Sequence, residues 1–212
     1  MSAVKKMTEL ERMLAGKMYY PGDEELLQIR RRAHRLCRLY NEAFEENEPQ
    51  REGLLRRLLP HAGEDVYLQG PIQFDYGVNT IIGRDFYANF NLTVLDSAAV
   101  TIGERVQFGP NVTLVTPVHP LRASDRCERP WSDGREGMLE YALPIEIGDD
   151  CWLASNVTVV GGCRIGEGSV IGAGSVVTRD IPPNVLAAGV PCRVLRSITE
   201  ADAIERRTEL FD

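Results

Sequence analysis

Histidine is the scarcest chemistry-bearing residue of this 212-residue chain; only His34, His61 and His119 occur. A zinc site needs several His, Cys or carboxylate ligands to converge. One His in the repeat region described below argues against a three-His zinc enzyme, and no metal is expected. Cysteine is also sparse: five residues, an odd number, with no CxxC pair. They read as free thiols acting as small core residues in a reducing cytoplasm. No run of about 18 apolar residues exists, so no membrane-spanning helix is expected. Residues 1–14 hold acidic groups and no apolar stretch, which argues against a secretory signal. Positive charge is in deficit, 24 Lys and Arg against 31 Asp and Glu, net −7. Duplex nucleic acid is therefore a poor partner. Neither a Gly-x-Ser-x-Gly elbow nor a Walker loop is present. The sequons at Asn91, Asn111 and Asn156 read as chance matches in the absence of a secretory signal.

What the chain does have is a period of six. Ile147, Leu153, Val159, Ile165, Ile171 and Val177 recur without a slip. Cys151, Val157, Cys163, Ser169 and Ser175 follow four residues after most of them, and Gly148, Gly166 and Gly172 one residue after. Six is neither the 3.6 of a helix nor the 2 of a flat strand. It is the signature of a hexapeptide β-helix, in which each strand and its turn use one repeat. The aliphatic residues are expected to stack along the interior, the small ones to fill the corners, and the glycines to serve turns that need open backbone angles. Upstream, Val66, Ile72 and Val78, then Ile82, Ala88 and Val94, then Ile102, Phe108 and Leu114 keep the same period. Two-residue slips separate these runs, which points to enlarged corners or bulges.

Residues 1–60 form a separate N-terminal helical region. Thr8 to Ala15 reads as a short helix closed by Gly16. Asp23 caps a second helix with Leu26, Ile29, Ala33, Cys37, Tyr40 and Phe44 on its apolar face. Arg30, Arg31, Arg35 and Arg38 make the opposite face, read as solvated or locally paired. Leu54, Leu55, Leu58 and Leu59 mark a last amphipathic segment stopped by Pro60. The β-helix then runs over 61–197, and the polar 198–212 forms a C-terminal tail.

The period breaks over the loop 117–144. A stretch of that length inside a compact domain is usually functional or disordered; resumption in register at Ile147 favours an excursion that covers a binding surface. His119 stands at its start, at the mouth of a rigid scaffold, where catalytic groups are often found. His34 and His61 read as incidental.

Phe86-Tyr87-Ala88-Asn89-Phe90-Asn91, Thr116-Pro117-Val118-His119-Pro120, Gly172-Ala173-Gly174-Ser175 and Asp180-Ile181-Pro182-Pro183-Asn184-Val185 with Ala188-Gly189-Val190-Pro191 together resemble the sugar O-acetyltransferases: the maltose, galactoside and nodulation acetyltransferases. Ala15-Gly16-Lys17-Met18-Tyr19 extends the resemblance, which covers about 8–196. It implies a mainly β fold, a left-handed triangular parallel β-helix, assembled as a homotrimer with acetyl-CoA in the groove between subunits. It implies His119 as the general base of a direct transfer, a role that suits imidazole because it titrates near neutral pH. The Ser155 N–H is the implied oxyanion donor. Asn89, Tyr87, Asp75, Glu140 and Asp23 match acceptor-side positions, and Glu140 could instead orient His119. Ser155, Ala173, Thr178, Arg179, Arg193 and Arg196 match the CoA positions, with Trp152 beside them; guanidinium groups suit the CoA phosphates. Asp75 and Glu140-Tyr141 resemble the maltose type. The excursion is longer by roughly nine residues around 131–138 than in either type, which leaves the acceptor open between a sugar and another alcohol such as an antibiotic. A non-catalytic solenoid used for binding or assembly is the reading from a different class.

Overall fold

The computed structural model describes residues 7–131 and 134–211. Residues 1–6, on which part of the leader expectation rests, Ser132 and Asp133 of the lengthened stretch, and Asp212 of the tail lie outside the described residues. The β region is a parallel solenoid with three faces. The first stacks His61–Ala62, Thr80–Ile82, Val100–Ile102, Ile145–Ile147 and Arg164–Ile165. The second stacks Tyr67–Leu68, Tyr87–Ala88, Gln107–Phe108, Trp152–Leu153, Val170–Ile171 and Val185–Ala188, closed by the antiparallel Arg193–Ser197. The third stacks Ile72–Phe74, Leu92–Leu95, Thr113–Val115, Thr158–Val160 and Val176–Val177.

The six-residue period builds these stacks in register. Ile82, Ile102, Ile147 and Ile165 form one interior column. Ala88, Phe108, Leu153 and Ile171 form the second, and Val94, Leu114, Val159 and Val177 the third. All are buried, and each large aliphatic contributes about 1.5–3 kcal/mol relative to exposure. The first coil departs from the expected column. Leu68 pairs with Ala88 and Phe74 with Val94, so the aliphatic column there is Ala62, Leu68 and Phe74. Ile72 lies opposite Leu92 in the corner slot, and Val78 packs in a second cluster with Met13, Tyr19, Leu26 and Tyr76. Apolar residues stand two apart at Val66/Leu68 and Ile72/Phe74, so a period of six fits either column.

The glycines expected in open turns have another role. A Cβ on Gly148 would stand 2.6 Å from Glu167 N, and one on Gly166 would stand 2.4 Å from Pro183 N. They are glycine because the next coil's backbone passes too close for a side chain. The left-handed corners are held by Asp65, Asp85, Arg105, Asp150, Gly168 and Asn184 on one edge and by Asn91, Asn111, Asn156 and Gly174 on another, short polar residues and glycine predominating as that region favours. Asn91 Nδ2 donates to Asn111 Oδ1 at 2.9 Å, and Asn111 Nδ2 to Asn156 Oδ1 at 3.0 Å. The three sequons are thus one corner position repeated on three coils.

Three helices close the start of the solenoid. α1 (Glu9–Leu14) has a capping box from Thr8 and Glu11, and Gly16 follows at φ +66°. α2 (Glu24–Glu42) is capped by Asp23, and α3 (Glu48–Leu58) by Asn47 with Pro49 in its first turn. The first coil has no neighbour on one side, and its free backbone groups need partners. The helices supply them. Tyr40 Oη donates to Leu68 O at 2.6 Å, Arg51 to Leu68 O and Gln69 O, and Asn41 exchanges two bonds with the Ile72 backbone. Ala33, Cys37, Tyr40, Leu54, Leu55, Leu58 and Leu59 join the solenoid core. Phe44, expected on that face, is exposed because α2 ends at Glu42 and the chain turns extended at Ala43. Of the arginine face, Arg31 and Arg38 pair locally with Glu24 and Glu42.

Candidate active site

Every irregular corner lies on the same edge, where the third face turns into the first. Coils there repeat after 20 residues from Ile82 to Ile102, but after 18 from Ile147 to Ile165. The extra residues form the turns 75–79 and 96–99, and the excursion 117–144 leaves from the corner stacked above them. Asp96 bends inward and is buried; it accepts from Tyr76 N at 2.8 Å and Thr80 Oγ1 at 2.9 Å, and burial still raises its pKa. Thr116 Oγ1 donates to Leu95 O at 2.7 Å and accepts from Ala98 N at 2.9 Å, which fixes the direction of the departing chain. From sequence, Thr116 is named only as the first residue of the motif that ends at Pro120, and Asp96 is not named. For Asp96 the signal is a polar residue inside the two-residue slip between Val94 and Ile102.

The excursion opens with a two-stranded ladder, Pro117–Val118 against Tyr141–Ala142, in which Val118 faces Tyr141. The next residues along are His119 and Glu140, so the register sets imidazole opposite carboxylate. His119 Nε2 lies 4.0 Å from Glu140 Oε2, with His119 half-exposed and Glu140 largely buried. Glu140 also bridges to the N-terminal region. Tyr19 N donates to Glu140 O at 3.0 Å, and the Tyr19 hydroxyl donates to Glu140 Oε1. Burial, with Glu140 adding to it, holds the Tyr19 hydroxyl far above its ordinary pKa.

Asp75 starts the first irregular corner and lies 3.4 Å from His34 Nε2 on α2. His34 reads as incidental in the sequence; the packing of α2 against Ile72–Phe74 brings it to the Asp75 carboxylate. Sequence spacing carried no sign of this, since 41 residues separate the two. Asp23 performs the capping expected of it, accepting from Glu25 N at 3.1 Å. Its other oxygen lies 3.9 Å from Arg135 of the lengthened stretch. There Arg129–Pro130 pairs with Glu136–Gly137. Trp131 meets the Tyr20 ring edge-on at 5.8 Å, Arg135 lies over Tyr20 at 4.6 Å, and Arg135 pairs with Glu9 at 2.8 Å. The lengthened stretch is therefore folded down on the N-terminal segment that carries Tyr19 and Asp23.

The remaining positions lie elsewhere on the same chain. Tyr87 and Trp152 point outward from the second face, flanking Gln107, and both are exposed. Tyr87 stacks on Tyr67 at 5.9 Å. Trp152 is half-exposed rather than packed into the chain. Asn89, Ser155 and Ala173 follow at the corner from the second face to the third. Asn89 Oδ1 accepts locally from Phe90 N at 2.8 Å. A Cβ on Gly109 would stand 2.8 Å from Ser155 N, so the Ser155 backbone packs directly on the coil before it, as at Gly148 and Gly166. Thr178 and Arg179 are exposed two coils below the base of the excursion. Arg193 is exposed, and Arg196 holds Asp202 through two bonds of 2.7 Å. The third face separates the His119 corner from the Asn89 corner. Its strand Leu92–Leu95 alone spans roughly 13 Å. A groove of about 850 Å³ on the first face carries Glu146, Asp149, Glu167 and Asp180 with Arg164. That charge repels a polyphosphate, and none of the expected site residues lines it. Among the described residues, no group of three or more His, Cys, Asp or Glu is placed to hold a metal ion, and no helix is long and apolar enough to cross a membrane.

Two family descriptions match the chain: the maltose acetyltransferase hexapeptide capping motif over 12–63, and the bacterial transferase hexapeptide, six repeats, over 144–179. The galactoside O-acetyltransferase of Escherichia coli K12 is 43% identical over 196 residues, 92% of each chain. The chain belongs to the maltose and galactoside O-acetyltransferase family. Two solved structures of this family superpose on it with a TM-score of 0.84. One is a maltose O-acetyltransferase from Clostridium difficile 630, 42% identical and covering 92% of this chain and 99% of that one. The other is a galactoside acetyltransferase in complex with coenzyme A, 43% identical and covering 93% and 94%. The capping motif of the family is the segment that delivers Tyr19, Asp23 and His34 to the irregular edge.

Proposed function

We propose that the chain transfers acetyl from acetyl-CoA to a hydroxyl of a sugar, at a site completed by a neighbouring copy in a homotrimer. His119 takes the proton of the acceptor hydroxyl as its oxygen attacks the thioester carbonyl. The tetrahedral oxyanion is held by the Ser155 N–H. Collapse breaks the C–S bond, and the imidazolium returns the proton to the CoA thiolate. A positioned base contributes about 10²–10⁴-fold, and a donor aimed at the oxyanion about 3 kcal/mol.

The observation that carries this reading is the split of site residues between two edges of one face. His119, Glu140, Asp75 and Asp23 gather where the third face meets the first. Tyr87, Asn89, Ser155 and Ala173 gather at or beside the opposite edge. One chain cannot present both sets to one small acceptor. A ring of copies, each docking one edge on the other edge of the next, brings them together by a heterologous contact that closes. The relatives support the chemistry: their names specify O-acetyl transfer to galactosides and maltose, and one was solved with coenzyme A. CoA would lie along Ser155 and Ala173, with Thr178, Arg179 and Arg193 toward its phosphates. Arg196 would join them only by leaving Asp202.

The test is thiol release from acetyl-CoA with glucose, maltose, a galactoside and a non-sugar alcohol as acceptors. Release with at least one sugar and not with the simple alcohol supports the reading. Release with none of the sugars overturns the sugar assignment.

A further inference from the structure

We propose that Tyr19 is a positioning residue for the transfer reaction, acting on His119 through Glu140. This rests on the reading of His119 as the base. The two oxygens of the Glu140 carboxylate face different partners. Oε1 accepts from the Tyr19 hydroxyl, and Oε2 faces His119 Nε2 at 4.0 Å. A carboxylate with one hydrogen-bonded oxygen cannot rotate freely, so the donor on Oε1 sets where Oε2 points. Glu140 has no other side-chain hydrogen bond among the described residues beyond this one, and the other ionisable group near it, Tyr76, contributes charge interaction without a hydrogen bond.

The phenol is itself held without freedom. Tyr19 is completely buried, in a cluster with Met13, Leu26 and Tyr76. Its backbone N–H donates to Glu140 O at 3.0 Å, so the same residue pins both the main chain and the side chain of Glu140. Arg12 Nε donates to Met18 O at 2.8 Å on one side of it, and Glu9 accepts from Tyr20 N at 2.7 Å on the other. The line Tyr19–Glu140–His119 thus ties the N-terminal helical region to the base of the excursion. It gives that region a role at the reacting end of the site besides closing the solenoid.

A double-mutant cycle tests the inference, in the full chain, with acetyl-CoA and whichever acceptor the wild type uses best. Tyr19→Phe keeps the ring and its packing and removes the hydroxyl, which donates to Glu140 and also bonds the buried Ser97. Its kcat is expected to fall about tenfold, as for loss of one buried hydrogen bond to a carboxylate. The KM for acetyl-CoA should stay within about twofold, since no CoA position touches Tyr19. Glu140→Gln retains an acceptor for the phenol and removes the charge; it should lower kcat by a similar factor. Adding Tyr19→Phe to Glu140→Gln should then lower kcat no further, because the two act as one unit. Multiplicative losses, or an unchanged kcat in Tyr19→Phe, would overturn the inference. A rise in the KM for acetyl-CoA together with a large fall in Tm would also overturn it, as general loosening of the fold. An inactive wild type or a fully active His119→Ala would instead sink the reading of the base, so the two failures are distinguishable.

Discussion

At one edge of the third face, Asn91, Asn111 and Asn156 stack coil on coil in one backbone conformation, joined by their own amides. At the other edge no two of the first three coils turn alike: 75–79 passes through a glycine at φ +72°, 96–99 buries an aspartate, and the third leaves the solenoid altogether. The regular edge can present only what stacks, so it offers backbone groups such as the Ser155 N–H and small side chains such as Ala173. The irregular edge has freed its residues from stacking and can hold side chains in individual poses, among them His119, Glu140 and Asp75. A base and its partners need the second kind of edge. A long cofactor laid against a repeat needs the first.

That contrast can be broken from either side. The largest effect is expected at the irregular edge: His119→Ala should lower turnover by about 100-fold or more while CoA binding, followed by calorimetry, persists. Unchanged turnover would move the chemistry elsewhere. Regularity is best broken with a side chain where coils nearly touch. Gly166→Ala places a Cβ 2.4 Å from Pro183 N and should cost about 1–3 kcal/mol, read as a lower urea midpoint. Gly53→Ala is the control: it lies in α3 with nothing within 4 Å and should stabilise by about 0.4–1 kcal/mol. Arg179→Ala should weaken CoA several-fold at low salt and less at high salt, because exposed phosphate pairing is screened over about 10 Å at 0.1 M. Equal effects at both salts would assign Arg179 another role.

The smallest effect sharpens the interior. Burial raises the thiols of Cys37 and Cys151 to about 11 from an ordinary 9.0. A folded-state pKa above the unfolded one means this stabilisation is full below pH 9.0 and lost as pH rises through about 11. Tm should therefore decline over that window in the wild type and less steeply in Cys37→Ala/Cys151→Ala. At neutral pH a thiol reagent should label Cys127, which is exposed, ahead of the four buried cysteines.

The regular part of the molecule was legible from residue spacing because each position repeats its environment. Ile147 to Val177 reads off the interior columns directly. Legibility failed where two columns shared the period, as at Val66 and Ile72, and where a residue's reason lay in a neighbouring coil, as for Gly148 and Gly166. The site was legible in proportion to sequence motif. His119 is marked by the break itself. Its link to Tyr19 through Glu140, and that of Asp75 to His34, span 41 residues or more and depend on how the helices dock on the first coil. The clamp of Trp131 and Arg135 on Tyr20, Glu9 and Asp23 follows from the same docking. No local pattern encodes it.

The central claim is that each site takes its base from the irregular edge of one copy and its acceptor amide from the regular edge of the next. Complementation between two inactive chains tests it most directly. His119→Ala and Asn89→Ala should each be nearly inactive alone. Co-expressed in equal amounts, they should assemble mixed trimers in which about one site in four has both His119 and Asn89 intact, and thiol release should recover to about a quarter of the wild-type rate. Mixed trimers that form, as shown by differently tagged subunits, and remain as inactive as either parent would contradict the account.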